Sequence, residues 1–148
     1  MSQTKTDTLN KTKGEIEAEI SDALIKFERE YMGRGPEEAR SYIIDDLVVV
    51  RLRGVLTPAE RQLAKSESSG NGRSLIKQVR MELIEKARPL LDVLVHDITG
   101  QTLKSMHTDI STVTGERIIV FSLKGPPACR VPNEAKANPS RRGASASR

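Results

Sequence analysis

The stretch from Arg73 to Thr99 constrains this chain more than any other. Leu75, Ile76, Val79, Leu83, Leu90, Leu91, Leu94, Val95 and Ile98 recur at steps of three and four. That spacing gathers them on one side of an α-helix, with Lys77, Glu82, Glu85, Lys86, Arg88 and Asp92 largely on the other. At 1.5 Å per residue such a helix would run about 40 Å, enough to brace a whole small domain. Pro89 removes one backbone donor and presses its ring on the carbonyl of Glu85, so a bend or two abutting helices is expected there.

The remaining elements follow from changes of period. Ile16, Ile20, Ala23, Leu24, Phe27 and Tyr31 predict a first helix over Glu15–Met32, closed by Gly33-Arg34-Gly35-Pro36. Ser41–Arg53 alternates and is β-branched, which reads as one strand, with Asp45-Asp46 marking a bulge or its true start. Thr57-Pro58-Ala59-Glu60 is a helix-start signal with capping residue, first-position Pro and capping-box Glu. The helix it opens is expected to end near Ser66, and Ser68 to Gly72 reads as a flexible loop. Thr102–Ile110 and Arg117–Leu123 predict an antiparallel hairpin, with Ile119, Phe121 and Leu123 inward. The expected fold is α+β in the order α-β-α-α-β-β: a small three-stranded antiparallel sheet, helices on one face. Leu47, Val49, Ile118 and Val120 would lie on the other face, where a second copy of the chain is expected to cover them, giving a homodimer.

A single domain over residues 14–124 is expected, between a disordered arm (1–13) and a disordered basic Pro/Ser/Ala tail (125–148). The sequence pI of 9.4 is a property of those ends. Lys124–Arg148 carries six Lys/Arg against one Glu, whereas Glu15–Leu123 carries 15 basic and 18 acidic residues. A basic nucleic-acid groove is therefore not expected, and the tail lacks aromatics for base stacking. The one cysteine, Cys129, excludes an intrachain disulfide and fits a reducing compartment. No apolar run is long enough to span a membrane, and the chain reads as cytoplasmic.

Candidate chemistry is sparse. His96 and His107 are the only histidines, and neither has the ligand cluster a metal needs, so no metal, cofactor or catalytic residue is assigned. His107 and Asp109 share a strand face and could form a polar pair for acid–base work; an exposed pair without that role is the simpler expectation. Arg34, Arg51, Arg53, Arg73 and Arg80 are candidate contacts for an anion or small ligand beside the Gly-rich turns. Ion pairs with neighbouring acids are the competing expectation for them.

Taken together, Gly33-Arg34-Gly35-Pro36, the run Leu47–Gly54, Leu56-Thr57-Pro58-Ala59-Glu60, Arg80, Arg88-Pro89, Thr99-Gly100, Asp109 and Val120-Phe121-Ser122-Leu123 resemble one bacterial family. It is the C component of the Na+-translocating, membrane-potential-generating system (MpsC-like), formerly a domain of unknown function. The resemblance covers about Gly14–Leu123. It implies a non-enzymatic accessory or regulatory subunit, cytoplasmic or peripheral to the inner face of the membrane, that binds a partner in a cation-translocating system. It brings no catalytic residues with it. The alternative reading is a small-ligand or anion sensor using the Gly33–Pro36 turn and nearby arginines.

Overall fold

A computed structural model describes residues 10–65 and 71–130. Helix α1 (Lys13–Met32) starts where the Thr12 hydroxyl accepts the Glu15 N–H at 3.1 Å and stops at Gly33, whose φ of 84° suits glycine. Its stripe of Ile16, Ile20, Leu24 and Phe27 is buried.

The expected single strand over Ser41–Arg53 is corrected: it is a hairpin, and the sheet has four strands. Strands β1 (Glu38–Ile44) and β2 (Leu47–Arg53) pair antiparallel, with Ile44 opposite Leu47. Asp45 and Asp46 form the two-residue loop, Asp45 at a φ of 56°. The error has a physical origin. β-branched residues fill both sides of the loop, and two aspartates turn a chain as well as they interrupt one, because Asp tolerates left-handed geometry.

Helix α2 (Pro58–Ala64) carries the complete capping box, Thr57 and Glu60 each bonding the other's backbone N–H. The long helix is split in two, α3 (Asn71–Lys86) and α4 (Arg88–Thr99), with Ala87 between them. Ala87 keeps right-handed helical geometry (φ −86°, ψ −1°), so the two helices abut. Strands β3 (Leu103–Ile110) and β4 (Arg117–Leu123) complete an antiparallel sheet of order β1-β2-β4-β3. The observed order is thus α-β-β-α-α-α-β-β. Ser68, Ser69 and Gly70 of the expected loop, the arm before residue 10 and the tail after residue 130 lie outside the described residues.

Register decides what each face shows. Ile43, Val48 and Phe121 stand in one inward row with Met106, and Val50 and Ile119 in the next. Those residues and the helix stripes form one hydrophobic core. The outward rows are Ile44, Leu47 and Ser122, then Tyr42, Val49, Val120 and His107, then Arg40, Arg51, Ile118 and Asp109. Edge strand β1 is shielded by α1: Glu17 accepts the Ile43 N–H at 2.8 Å, and the Ser21 and Ser41 hydroxyls bond at 2.7 Å. Residues 125–130 run back to the start of α1, where the Arg130 N–H donates to the Lys11 carbonyl at 2.7 Å. Cys129, half-buried, packs against the core there.

The α2–α3 junction is tight. A Cβ on Gly72 would lie 2.1 Å from the Leu63 carbonyl oxygen, whereas one on Gly14 would meet nothing within 4 Å. Gly72→Ala should therefore cost about 1–3 kcal/mol in urea unfolding, with Gly14→Ala within about 0.5 kcal/mol of wild type or slightly stabilising.

Candidate functional site

The periods that build the core also carry three charges to its centre, where a fourth joins them. Glu28 follows Ile20 and Leu24 at steps of four on α1, and Arg80 sits between Ile76 and Ile84 at the same step on α3. Arg117 alternates with Ile119, Phe121 and Leu123 on β4. Each occupies a position its element buries: Glu28 is 0% exposed and Arg80 and Arg117 are 2% exposed. Glu60, on the first turn of α2, reaches the same place from the side.

Arg80 is the hub. Its Nε and Nη2 donate to the two Glu60 carboxylate oxygens at 2.8 and 2.7 Å, a bidentate pair, and Nη2 also donates to the Val55 carbonyl at 2.8 Å. Its Nη1 lies 3.6 Å from Glu28 Oε1, and Arg117 Nη1 lies 3.6 Å from Glu28 Oε2. These are ionic contacts too long for hydrogen bonds. Both Glu28 oxygens and both Nη1 atoms are thus buried without a hydrogen-bond partner. Arg117 Nε donates to the Thr108 hydroxyl at 3.2 Å. A cavity of about 90 Å³ adjoins the cluster, lined in part by Arg80, Arg117 and Thr108 and by the Lys77–Asp109 ion pair, 3.4 Å long.

Two cations and two anions balance, but not equally. Burial pushes the Glu28 carboxyl above its ordinary range, against the pull of Arg117 and Arg80. Burial likewise lowers Arg117, opposed by Glu28. At Glu60 burial is outweighed by the hydrogen bonds from Arg80 and Thr57, which hold it below the usual range. The arrangement can fix three helices against the sheet. It presents no open acid–base pair to a substrate.

The arginines singled out in the sequence are not brought together. Arg34 donates to the Gly54 carbonyl at 3.1 Å and pairs with Glu37 at 3.2 Å. Arg51 pairs with Glu116 at 2.6 Å and Arg53 with Glu38 at 3.3 Å, both on the outer sheet face. Arg73 donates to the Ala64 carbonyl at 3.3 Å, at the end of α2, and lines with Arg61 and Lys65 a hollow of about 670 Å³. Only Arg80 enters the core. His107 and Asp109 share the outer face and part company: His107 meets the Ser105 hydroxyl at 3.4 Å, while Asp109 accepts its neighbour Ile110's N–H at 2.9 Å and pairs with Lys77. The Ile110 N–H, then Lys77, keep the Asp109 carboxyl low despite some desolvation. Among the described residues no group of three or more His, Cys, Asp or Glu converges as a metal site would. Glu28 and Arg117 went unnoticed in the sequence, although a charge at a core position of its own element's period was the available signal.

Fold and site define a small two-layer α+β domain whose acids and bases neutralise one another inside it. The chain belongs to the family described as the Na+-translocating membrane potential-generating system (MpsC), which it matches over residues 12–125. It is similar to the "Uncharacterized protein YbcI" of Bacillus subtilis (strain 168), 43% identical over 115 residues, which are 78% of this chain and 90% of that protein. No solved structure matches it.

Removing one partner of a buried carboxylate leaves a charge without compensation. Arg117→Met should cost about 3–5 kcal/mol in urea unfolding, and adding Glu28→Gln should return part of it. The raised Glu28 also sets a sign. The folded state binds its proton more readily than the unfolded state, whose carboxyl titrates near 4.5. Wild type should therefore gain stability relative to Glu28→Gln as pH falls toward that value, read as melting temperature from about pH 7.5 to about 5. Glu60 works in the opposite sense, losing its contribution only as pH falls below the ordinary carboxylate value.

Proposed function

We propose that this chain is a non-catalytic accessory subunit of a Na+-translocating membrane system, cytoplasmic, homodimeric, and docked at the inner face of the membrane. The observation that carries the reading is the outer face of the four-stranded sheet. Tyr42 and Ile44 are 45% and 57% exposed there, in rows with the half-buried Leu47, Val49, Ile118 and Val120. Charges flank this apolar strip: Arg40, Arg51 and Arg53 with Glu38 and Glu116. An apolar centre with a charged rim is the anatomy of a protein-docking surface. Among the described residues no helix is long and apolar enough to cross a membrane, so contact with a membrane system goes through such a surface. Family membership supplies the kind of system.

One observation favours a second reading, anion sensing. Arg61, Lys65 and Arg73 line the hollow beside the Thr112–Gly115 turn, and Arg61 lies 3.8 Å from Glu37, the residue that follows the Gly33–Pro36 turn where the sequence placed a ligand. A rise in melting temperature with millimolar phosphate, lost in Arg73→Gln, would favour it over docking.

The docking reading is tested by affinity capture from native membranes solubilised in mild detergent. Wild type should recover subunits of the cation-translocating system, and Tyr42→Glu/Ile44→Glu should lose them by at least about tenfold while keeping its melting temperature. Recovery of no membrane protein by the wild type would end this reading.

A further inference from the structure

Helix α3 carries two apolar lines, and the core uses one. Ile76, Arg80 and Ile84 are buried. Leu75 and Val79, one step round the helix, are 49% and 53% exposed, and the line continues on α4 with Leu90 and Val93, 37% and 56% exposed. Between these apolar ends lie Glu82 and Lys86 at the same steps of three and four, bordering a hollow of about 410 Å³ with Leu75, Val79 and Leu83. The line passes from α3 to α4 where the two helices abut: the ladder lapses around Ala87 and Pro89, with the Ala87 N–H donating to Leu83 O at 3.1 Å before the gap and the Leu91 N–H to Ala87 O at 3.0 Å after it. Single exposed apolar residues are ordinary, but four on one line are not.

The order along that line is apolar, apolar, acid, base, apolar, apolar, and it is self-complementary about Ile84. Leu75 and Val93 stand nine residues to either side, Val79 and Leu90 five and six, Glu82 and Lys86 two. Turned antiparallel on itself, the line sets Leu75 against Val93, Val79 against Leu90 and Glu82 against Lys86, then repeats each contact in reverse. That is the condition for a closed two-fold interface, in which the same patch serves both copies. Among the described residues neither Glu82 nor Lys86 has an ion-pair partner within the chain, so both charges are available to a second copy.

We propose that the outer line of α3 and α4 is the homodimer interface, closed by reciprocal Glu82–Lys86 pairs between two antiparallel copies. The proposal rests on the homodimer part of the reading above and not on its membrane partner. It moves the second copy from the sheet face, where the sequence placed it, to the helices, and leaves the sheet face open in the dimer.

Charge reversal tests it on the full chain, with mass read by light scattering after size exclusion. Wild type should be a dimer. Glu82→Lys alone places Lys against Lys across the axis, and Lys86→Glu alone places Glu against Glu, so each should raise the dissociation constant by at least about tenfold. The double variant should dimerise as wild type does. An equimolar mixture of the two single variants should form mixed dimers, since each then meets its opposite; a merely local effect on the helix would not produce this rescue. A monomeric wild type overturns the proposal together with the homodimer. A dimer indifferent to either reversal, or no rescue on mixing, overturns this interface while the accessory reading stands or falls on its own capture experiment.

Discussion

The arrangement depends on one buried guanidinium. An arginine in a hydrocarbon core is tolerable only if nearly every direction around it offers an acceptor or a counter-charge. Arg80 meets that demand with groups from three places: the Glu60 carboxylate, the Val55 carbonyl and the Glu28 carboxylate. Glu60 can serve because the capping box has already fixed its side chain at the start of α2. Glu28 then needs Arg117, which places β4 in the same network. Helices α1, α2 and α3 are thus located against the sheet by charge as well as by packing. An apolar substitute would fill the space but would not specify which helix faces which.

The same network explains a contrast between interior and surface. Inside, acid and base are matched in number, and the carboxylate with fewest hydrogen bonds is the one whose ionisation burial opposes. Outside, the arginines of the sheet face pair with carboxylates beside them, Arg51 with Glu116 and both Arg40 and Arg53 with Glu38. What the surface offers instead is apolar, on the sheet and along α3 and α4.

Much of the architecture was legible because it rested on local chemistry. The Thr57–Glu60 capping box, the glycine ending α1 and the break at Pro89 were each expected from residues a few positions apart. The fourth strand was not, since Asp45-Asp46 is equally compatible with a bulge and a turn until Leu47 is seen to pair with both Ile44 and Ser122. The helix stripe was read as one broad face, yet Leu75 and Val79 fall outside the arc that the sheet and α1 cover. For the site, Arg80 was singled out as a possible anion contact, and its actual partners are carboxylates of its own chain. Glu28 and Arg117 were hidden because hydrophobic periodicity is usually read by its apolar members. A charged residue in phase with them marks the interior just as well.

The short parallel bridge of Thr12 with Arg130 brings the strand-like start of α1 beside the last described turn of the chain. The polypeptide therefore enters and leaves this domain through one doorway. Topologically the fold is a plug: spliced into a surface loop of another protein, it would need no long connectors and would not force the host's two loop ends apart. A circularly permuted version, joined across that doorway and opened at the Asp45-Asp46 turn, would keep every strand pairing of the sheet except the covalent link between β1 and β2.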